Sequence, residues 1–306
     1  MSRLEEVLKS GKFAVTAECG PPKGADPEAI LKKAELLKDK VDAINVTDNQ
    51  TAIVRMSSMA ACALLKQNGF DPVLQMVVRD RNRIALQSDV LGAAALGIEN
   101  ILCLSGDHQS FGNQPQAVGV FDLDSIQFVQ VVREMRDNEV ILGGDALSKP
   151  PKVFIGAAAN PFGDPLGFRV VRLAKKVAAG ADFIQTQCIY NLERFKKWME
   201  MARERNLTEK VYILGGVTPL KSAKMAKYMK YKVAGMDIPD AVLARLEGVP
   251  SKKQAEEGIK MCVETIQGLK EIPGVSGVHI MAIEWEAKVA EIVERAGLGP
   301  RPTKGK

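Results

Sequence analysis

A single-domain (β/α)8 barrel is the fold class this sequence predicts, and three observations carry the prediction. Eight short β-rich runs alternate with helical patterns along the chain. Several of the runs are almost continuously apolar, as parallel strands covered on both faces must be. The series fills 306 residues, an ordinary length for such a barrel. A doubly wound sheet shares the alternation, but its first βα turn is usually glycine-rich. Here that turn reads ECGPPKG and lacks G-x-G-x-x-G.

The first run, KFAVTAE (12–18), ends in a carboxylate, Glu18, before the turn Cys19-Gly20-Pro21-Pro22. A helix then opens at Asp26-Pro27, an N-cap followed by proline at the first helical position, with Ile30, Ala34 and Leu37 as its apolar stripe. The second strand is DAINVTD (42–48), and the helix TAIVRMSSMAACALLKQNG (51–69) stops at Gly69, a left-handed cap. The third strand, PVLQMVV (72–78), leads to a helix through Ile84, Leu91 and Ala95 that closes at Gly97. After the fourth strand, NILCLSG (100–106), a long spacer (107–151) has room for loops or an extra helix, and LSKPPK (147–152) turns the chain into KVFIGAAA (152–159). FRVVRLAKKVAAG ends at Gly180 and precedes FIQTQCI (183–189); NLERFKKWMEMARERN precedes VYILGGV (211–217). A second long spacer (218–276) separates that strand from GVHIMAI (277–283), and WEAKVAEIVERAG is the last helix. One domain over 1–298 is expected, with 299–306 as a basic, disordered tail.

Composition narrows the function. A chain 46% hydrophobic and 26% charged is globular, and a net charge of +5 suits an anionic ligand but is too mild for a nucleic-acid binder. Aromatics at 5% leave little for base stacking. MSRLEEVLKSGK is a short amphipathic segment with no apolar h-region behind it. No apolar stretch approaches the roughly 18 residues of a membrane span, so a cytoplasmic protein is expected. Its five cysteines, Cys19, Cys62, Cys103, Cys188 and Cys262, form no C-x-x-C pair and read as reduced thiols. Only His108 and His279 are present, too few for a His-rich metal site.

Catalytic groups of a barrel stand at the C-terminal ends of its strands. Those positions hold Glu18, Thr47-Asp48-Asn49, Arg79-Asp80, Gly106-Asp107-His108, Asn160, Gln187, Gly216 and Glu284-Trp285. Two carboxylates and an amide converging on one mouth suggest acid–base chemistry on an organic substrate beside an organic redox cofactor. Each residue also has a plainer reading: Glu18 as a cap or ion-pair partner, Asp107 as a turn residue. RDRNR (79–83) is either a solvated helix start or a phosphate grip by Arg79, Arg81 and Arg83. Gln185 and Gln187 share a strand face, and amides are costly to bury unless they are bonded. His108 is the functional histidine candidate, whereas His279, inside a strand, reads as a satisfied core residue. Cys19 and Cys188 read as packing groups.

With these residues set out, the chain resembles the methylenetetrahydrofolate reductases of the MetF type over roughly residues 5–297. The motifs are Glu18-Cys19-Gly20-Pro21-Pro22, Val46-Thr47, Leu104-Ser105-Gly106-Asp107 and, most specific, Lys176-Val177-Ala178-Ala179-Gly180-Ala181-Asp182 ending at Thr186-Gln187. The resemblance implies a flavin-dependent barrel reducing methylenetetrahydrofolate to methyltetrahydrofolate by hydride transfer from reduced flavin. It implies Glu18 as the acid that opens the substrate's five-membered ring, Asp107 beside flavin and pterin, and Gln187 on the pterin. Thr47, Gly106, Asp107, His108 and Lys176 are the implied flavin contacts.

The departures are Ser105 where many members have Arg, His108-Gln109 where prolines are common, and Glu284-Trp285 where an Asn-Arg pair is expected. They leave FAD against FMN open, and likewise NADH against an electron-donating iron–sulfur or zinc protein subunit. An oligomer is also expected. The competing readings are a flavin-free pterin-binding barrel that transfers a methyl group and a non-catalytic scaffold subunit.

Overall fold

A computed structural model describes residues 1–301. Eight parallel strands close into a barrel in chain order: β1 (Ala14–Cys19), β2 (Ala43–Val46), β3 (Pro72–Val77), β4 (Asn100–Leu104), β5 (Phe154–Ala159), β6 (Phe183–Cys188), β7 (Tyr212–Val217) and β8 (Val275–Ile280). Each falls on one of the runs expected from the sequence, and β8 pairs back onto β1 to complete the ring. The helices are α1 (Arg3–Lys9), α2 (Pro27–Glu35), α3 (Ser58–Gln67), α4 (Arg83–Ala95), α5 (Ser125–Arg133), α6 (Leu166–Ala179), α7 (Leu192–Glu204), α8 (Ala223–Lys232), α9 (Asp240–Glu247), α10 (Gln254–Lys270) and α11 (Val289–Arg295). The long spacers thus hold α5 and the trio α8, α9 and α10. No helix among the described residues is long and apolar enough to cross a membrane.

Strand parity explains the interior. Alternate residues face inward, and the lowest inward rung is apolar: Ala14, Ala43, Val73, Leu102, Phe154, Phe183 and Leu214 form one cluster with Leu4, Val7 and Leu8 of α1. The amphipathic start of the chain is therefore a plug for the barrel floor, capped by the Ser2 side chain on the Glu5 amide at 3.1 Å. Each buried leucine of that plug contributes about 1.5–3 kcal/mol. Gly156 is needed at this level, since a Cβ there would lie 2.3 Å from the Phe183 ring, which stacks on Phe154 with centroids 5.1 Å apart.

The next inward rung is polar. Gln185 accepts from Asn45 Nδ2 at 2.7 Å and donates to Asn45 Oδ1 and Thr16 Oγ1, both at 3.1 Å. Thr16 shares a hydrogen bond of 2.9 Å with His279 Nδ1. Burial pushes the His279 imidazole down to about 3, so it stays neutral. His279 is the satisfied core residue the sequence suggested, and Gln185 belongs to the same layer.

Three boundaries differ from expectation. The helix after β2 starts at Ser58, capped by Ser57 on the Ala60 amide at 3.2 Å. Residues 50–52 instead make a tight turn, because Asn49, Thr51 and Ala52 adopt left-handed backbone with φ of 46°, 57° and 54°. At the C-terminal side, Glu286–Lys288 is a separate 3-10 turn before α11. The strand after α10 begins at Val275 and ends at Ile280, and the chain bends at Glu284, which has φ of 52°. Of the tail expected to be disordered, residues 302–306 lie outside the described residues. Arg301 pairs with Asp42 and donates to the Phe13 carbonyl at 2.8 Å.

Candidate functional site

Above the polar layer the inward parity continues to Glu18 on β1, Thr47 after β2, Gly106 after β4 and Gln187 on β6, so the third rung is the floor of the barrel mouth. Glu18, two residues past Thr16, lines a small cavity of about 40 Å³ with Gly20, Lys33, Gln50, Arg55, Ile283, Glu284 and Glu286. Burial pushes its carboxyl up to about 7. A hydrogen bond with Gln50 pulls the other way, and the charges of Glu286 and Asp107 add to the rise. The turn after Glu18 is tied down on both sides. Lys33 Nζ donates to the Gly20 carbonyl at 3.4 Å and Arg55 to the Pro21 carbonyl at 3.1 Å.

Asp107 is exposed at the rim, where its Oδ2 accepts from the Thr51 amide at 2.8 Å and its carbonyl from Arg79 Nη1 at 2.8 Å. Thr51 follows Gln50, so one left-handed turn connects the two candidate carboxyls. Gly106 has φ of +85°, and a Cβ on it would lie 3.0 Å from Val77 Cβ; the glycine of the Gly-Asp dipeptide is a backbone requirement. Thr47 is buried, and its hydroxyl has no hydrogen-bond partner. His108 is exposed and engaged within its own loop, with Nδ1 at 2.7 Å from Ser110 Oγ.

A second, larger cavity of about 390 Å³ opens above β4–β6 and is walled in part by Gln187, Lys176, Arg172 and Arg169. Lys176 is buried, with Nζ donating to the Ala158 carbonyl. Burial pulls its ammonium down to about 8, helped by Arg172, against the opposing Asp124 and Cys103. Gln187 lines this space with Gln185, next to a break in the β6–β7 register between Gln185 and Cys188. Among the described residues the Gln187 Oε1 accepts only from the Cys188 amide, at 3.0 Å.

The structure therefore gathers Gln187 with Lys176, and Glu18 with Asp107 through residues 50–51, and leaves His108 in the outer loop. The basic run 79–83 is occupied by carboxylates. Arg79 binds Asp80 at 2.7 Å, Arg81 binds Asp48 at 2.6 Å, and Arg83 binds Asp122 at 2.8 Å. Asn160 donates to the Gly235 carbonyl at 3.2 Å and lines the same cavity as Gln187. Burial pushes the Cys19 and Cys188 thiols up to about 12, in keeping with packing groups.

Sequence reasoning missed Arg169 and Arg172, whose spacing to Lys176 puts all three on one face of α6; that periodicity was the available signal. It also missed Gln50, Lys33 and Glu286, which no local pattern marks.

Compared with known proteins, residues 3–297 match the family model "Methylenetetrahydrofolate reductase". A probable methylenetetrahydrofolate reductase (NADPH) of Caenorhabditis elegans is 26% identical over 80% of this chain and 35% of its own length. A probable methylenetetrahydrofolate reductase (NADH) of Oryza sativa subsp. japonica is 25% identical over 66% of this chain and 34% of its own. The chain thus spans about a third of the length of these curated relatives. Among solved structures, a Clostridium thermocellum protein that binds two copies of 5-methyl-5,6,7,8-tetrahydrofolic acid has TM-score 0.64 and 15% identity, covering 96% of this chain and 99% of that one. That likeness shows the barrel fold.

Proposed function

The chain belongs to the methylenetetrahydrofolate reductase family, and from that premise we propose that it reduces methylenetetrahydrofolate to methyltetrahydrofolate, or runs the reverse, with a bound flavin and Glu18 as proton donor. The observation that carries the reading is Glu18: a carboxyl at the barrel mouth, pushed up to about 7 chiefly by burial. An acid with that affinity holds its proton near neutrality and can still release it.

The residues present fit a flavin. The buried Thr47 hydroxyl and Arg169 Nε have no hydrogen-bond partner, and Arg172 and Lys176 face the same cavity as Arg169. Arginine forks and a lysine point charge suit a phosphate. When bound, reduced flavin supplies the hydride. Thr47, Gly106, Asp107, His108 and Lys176 are its proposed contacts, with Arg169 and Arg172 added at the phosphate end. Glu18 gives its proton to the bridging nitrogen of the substrate, which opens the five-membered ring. The carboxylate left behind is stabilised by the Gln50 hydrogen bond. The amide nitrogen of Gln187 has no partner among the described residues and is free to donate to the pterin.

For the electron donor we favour a separate iron–sulfur or zinc protein over a nicotinamide. The rim beside Asp107 exposes Phe111 at 67% and Val118 at 89%, with Phe121 and Val120 on the same loop, and apolar surface of that kind suits a protein contact.

The test is the absorption spectrum of the purified protein together with the Glu18→Gln variant. Flavin bands are expected. The substitution should lower folate turnover by about 100-fold or more, with flavin binding and its reduction by an artificial donor retained. Unchanged turnover removes Glu18 as the acid. A colourless protein that takes up neither FMN nor FAD favours the flavin-free pterin-binding barrel.

A further inference from the structure

The cavity beside Glu18 contains a second buried carboxyl that the proposed chemistry does not use. Glu286 is 7% exposed and stands in the 3-10 turn ahead of α11. Its partner is Lys33 Nζ at 3.3 Å, from the last turn of α2. The same ammonium donates to the Gly20 carbonyl, two residues past Glu18. Lys33 therefore ties the loop after β8 to the turn after β1, with Glu18 between them.

The charges around Glu18 can be named element by element. Glu284 and Glu286 come from the loop after β8, Lys33 from α2, and Arg55, with the neutral Gln50, from the segment after β2. Asp107 acts from the segment after β4. Arg55 is engaged by the Pro21 carbonyl and Glu284 is exposed. Glu286 is the one buried carboxylate of the wall held by an ion pair. A carboxylate fixed beside another carboxyl in one low-dielectric space disfavours ionisation of its neighbour.

We propose that Glu286, clamped by Lys33, is a positioning residue for Glu18: it places a buried charge in the wall of the Glu18 cavity, and the Lys33 bridge holds the turn after β1. This rests on the reading of Glu18 as proton donor.

The experiment follows the Glu18 carboxyl directly, by NMR titration of isotope-labelled glutamate in the holoenzyme, with Glu18→Gln to assign the signal. The pH profile of single-turnover folate reduction is measured beside it. Glu286→Gln should move the Glu18 titration down by about one pH unit, the scale of a nearby charge. The alkaline limb of the rate should move with it, about tenfold slower on that side. Glu286→Asp, which keeps the charge, should restore both. If the single substitution does not fold, the double variant Glu286→Gln/Lys33→Met strands neither charge and should shift in the same direction but by less, because a cation leaves with the carboxylate. A Glu18 titration that stays in place in the folded variant overturns the proposal while leaving Glu18 as the acid. If instead the wild-type limb survives in Glu18→Gln, the acid assignment falls, and this proposal falls with it.

Discussion

Gln185 and Gln187 lie two residues apart on one face of β6, yet their substitution should have opposite consequences. Replacing Gln185 with leucine deletes three hydrogen bonds, two to Asn45 and one to Thr16. Thr16 keeps His279 as a partner, but Asn45, fully buried, is left with neither its donor nor its acceptor satisfied. At about 1–3 kcal/mol for each stranded buried group, the cost is about 2–5 kcal/mol. That is a large share of the roughly 5–15 kcal/mol that holds a typical protein together. A fall in Tm of about 3–8 °C follows for a chain of this length, read by circular dichroism.

The double variant Gln185→Leu/Asn45→Leu removes both sides of the pair and should recover part of the loss, because matched apolar partners strand nothing. Gln187→Leu strands only the Cys188 amide at the cavity edge. It should melt within about 1 kcal/mol of wild type while weakening folate binding. A Gln185→Leu protein as stable as wild type, by denaturant titration as well as by heat, would refute the account of the interior layer.

Other predictions follow from the same geometry. Lys176 titrates near 8 instead of its usual 10.5, so an anion held by its charge is released as pH rises. Affinity for FMN or FAD should fall on going through about pH 8 while that for riboflavin, which has no phosphate, should not; fluorescence quenching across that range checks it. Because the native state holds the Lys176 proton less tightly than the unfolded chain, its contribution to the stability of the flavin-free protein should rise from about pH 8 toward 10.5, and Lys176→Met should flatten that slope. Arg81→Met leaves the fully buried Asp48 carboxylate with only the Val77 amide at 3.0 Å. Denaturant unfolding should show a loss of about 3 kcal/mol.

Much of the barrel was legible because its signals are local. Eight apolar runs at regular spacing, an Asp-Pro helix start and glycines at left-handed caps act within a few residues of one another. Glu18, Gly106 and Gln187 could be placed at the mouth by counting to strand ends. The helix expected over 51–69 begins only at Ser58, because Thr51 and Ala52 take left-handed backbone. That backbone goes with tertiary bonds, among them Asp107 to the Thr51 amide, that no window of sequence contains.

What the sequence by itself determined is the alternation of elements and the chemistry available at each strand end, since both follow from residue type and spacing. Only the tertiary structure decided how those groups are used. It engaged the 79–83 arginines with carboxylates that come from other loops or from the run itself, and bound Gln185 into the interior layer while leaving the Gln187 amide nitrogen open to the cavity. It also brought Lys33 and Glu286, from opposite ends of the chain, to the cavity beside Glu18. The physical reason is that charge, burial and hydrogen bonding depend on distance in space, and closing the barrel makes neighbours of its first and last strands.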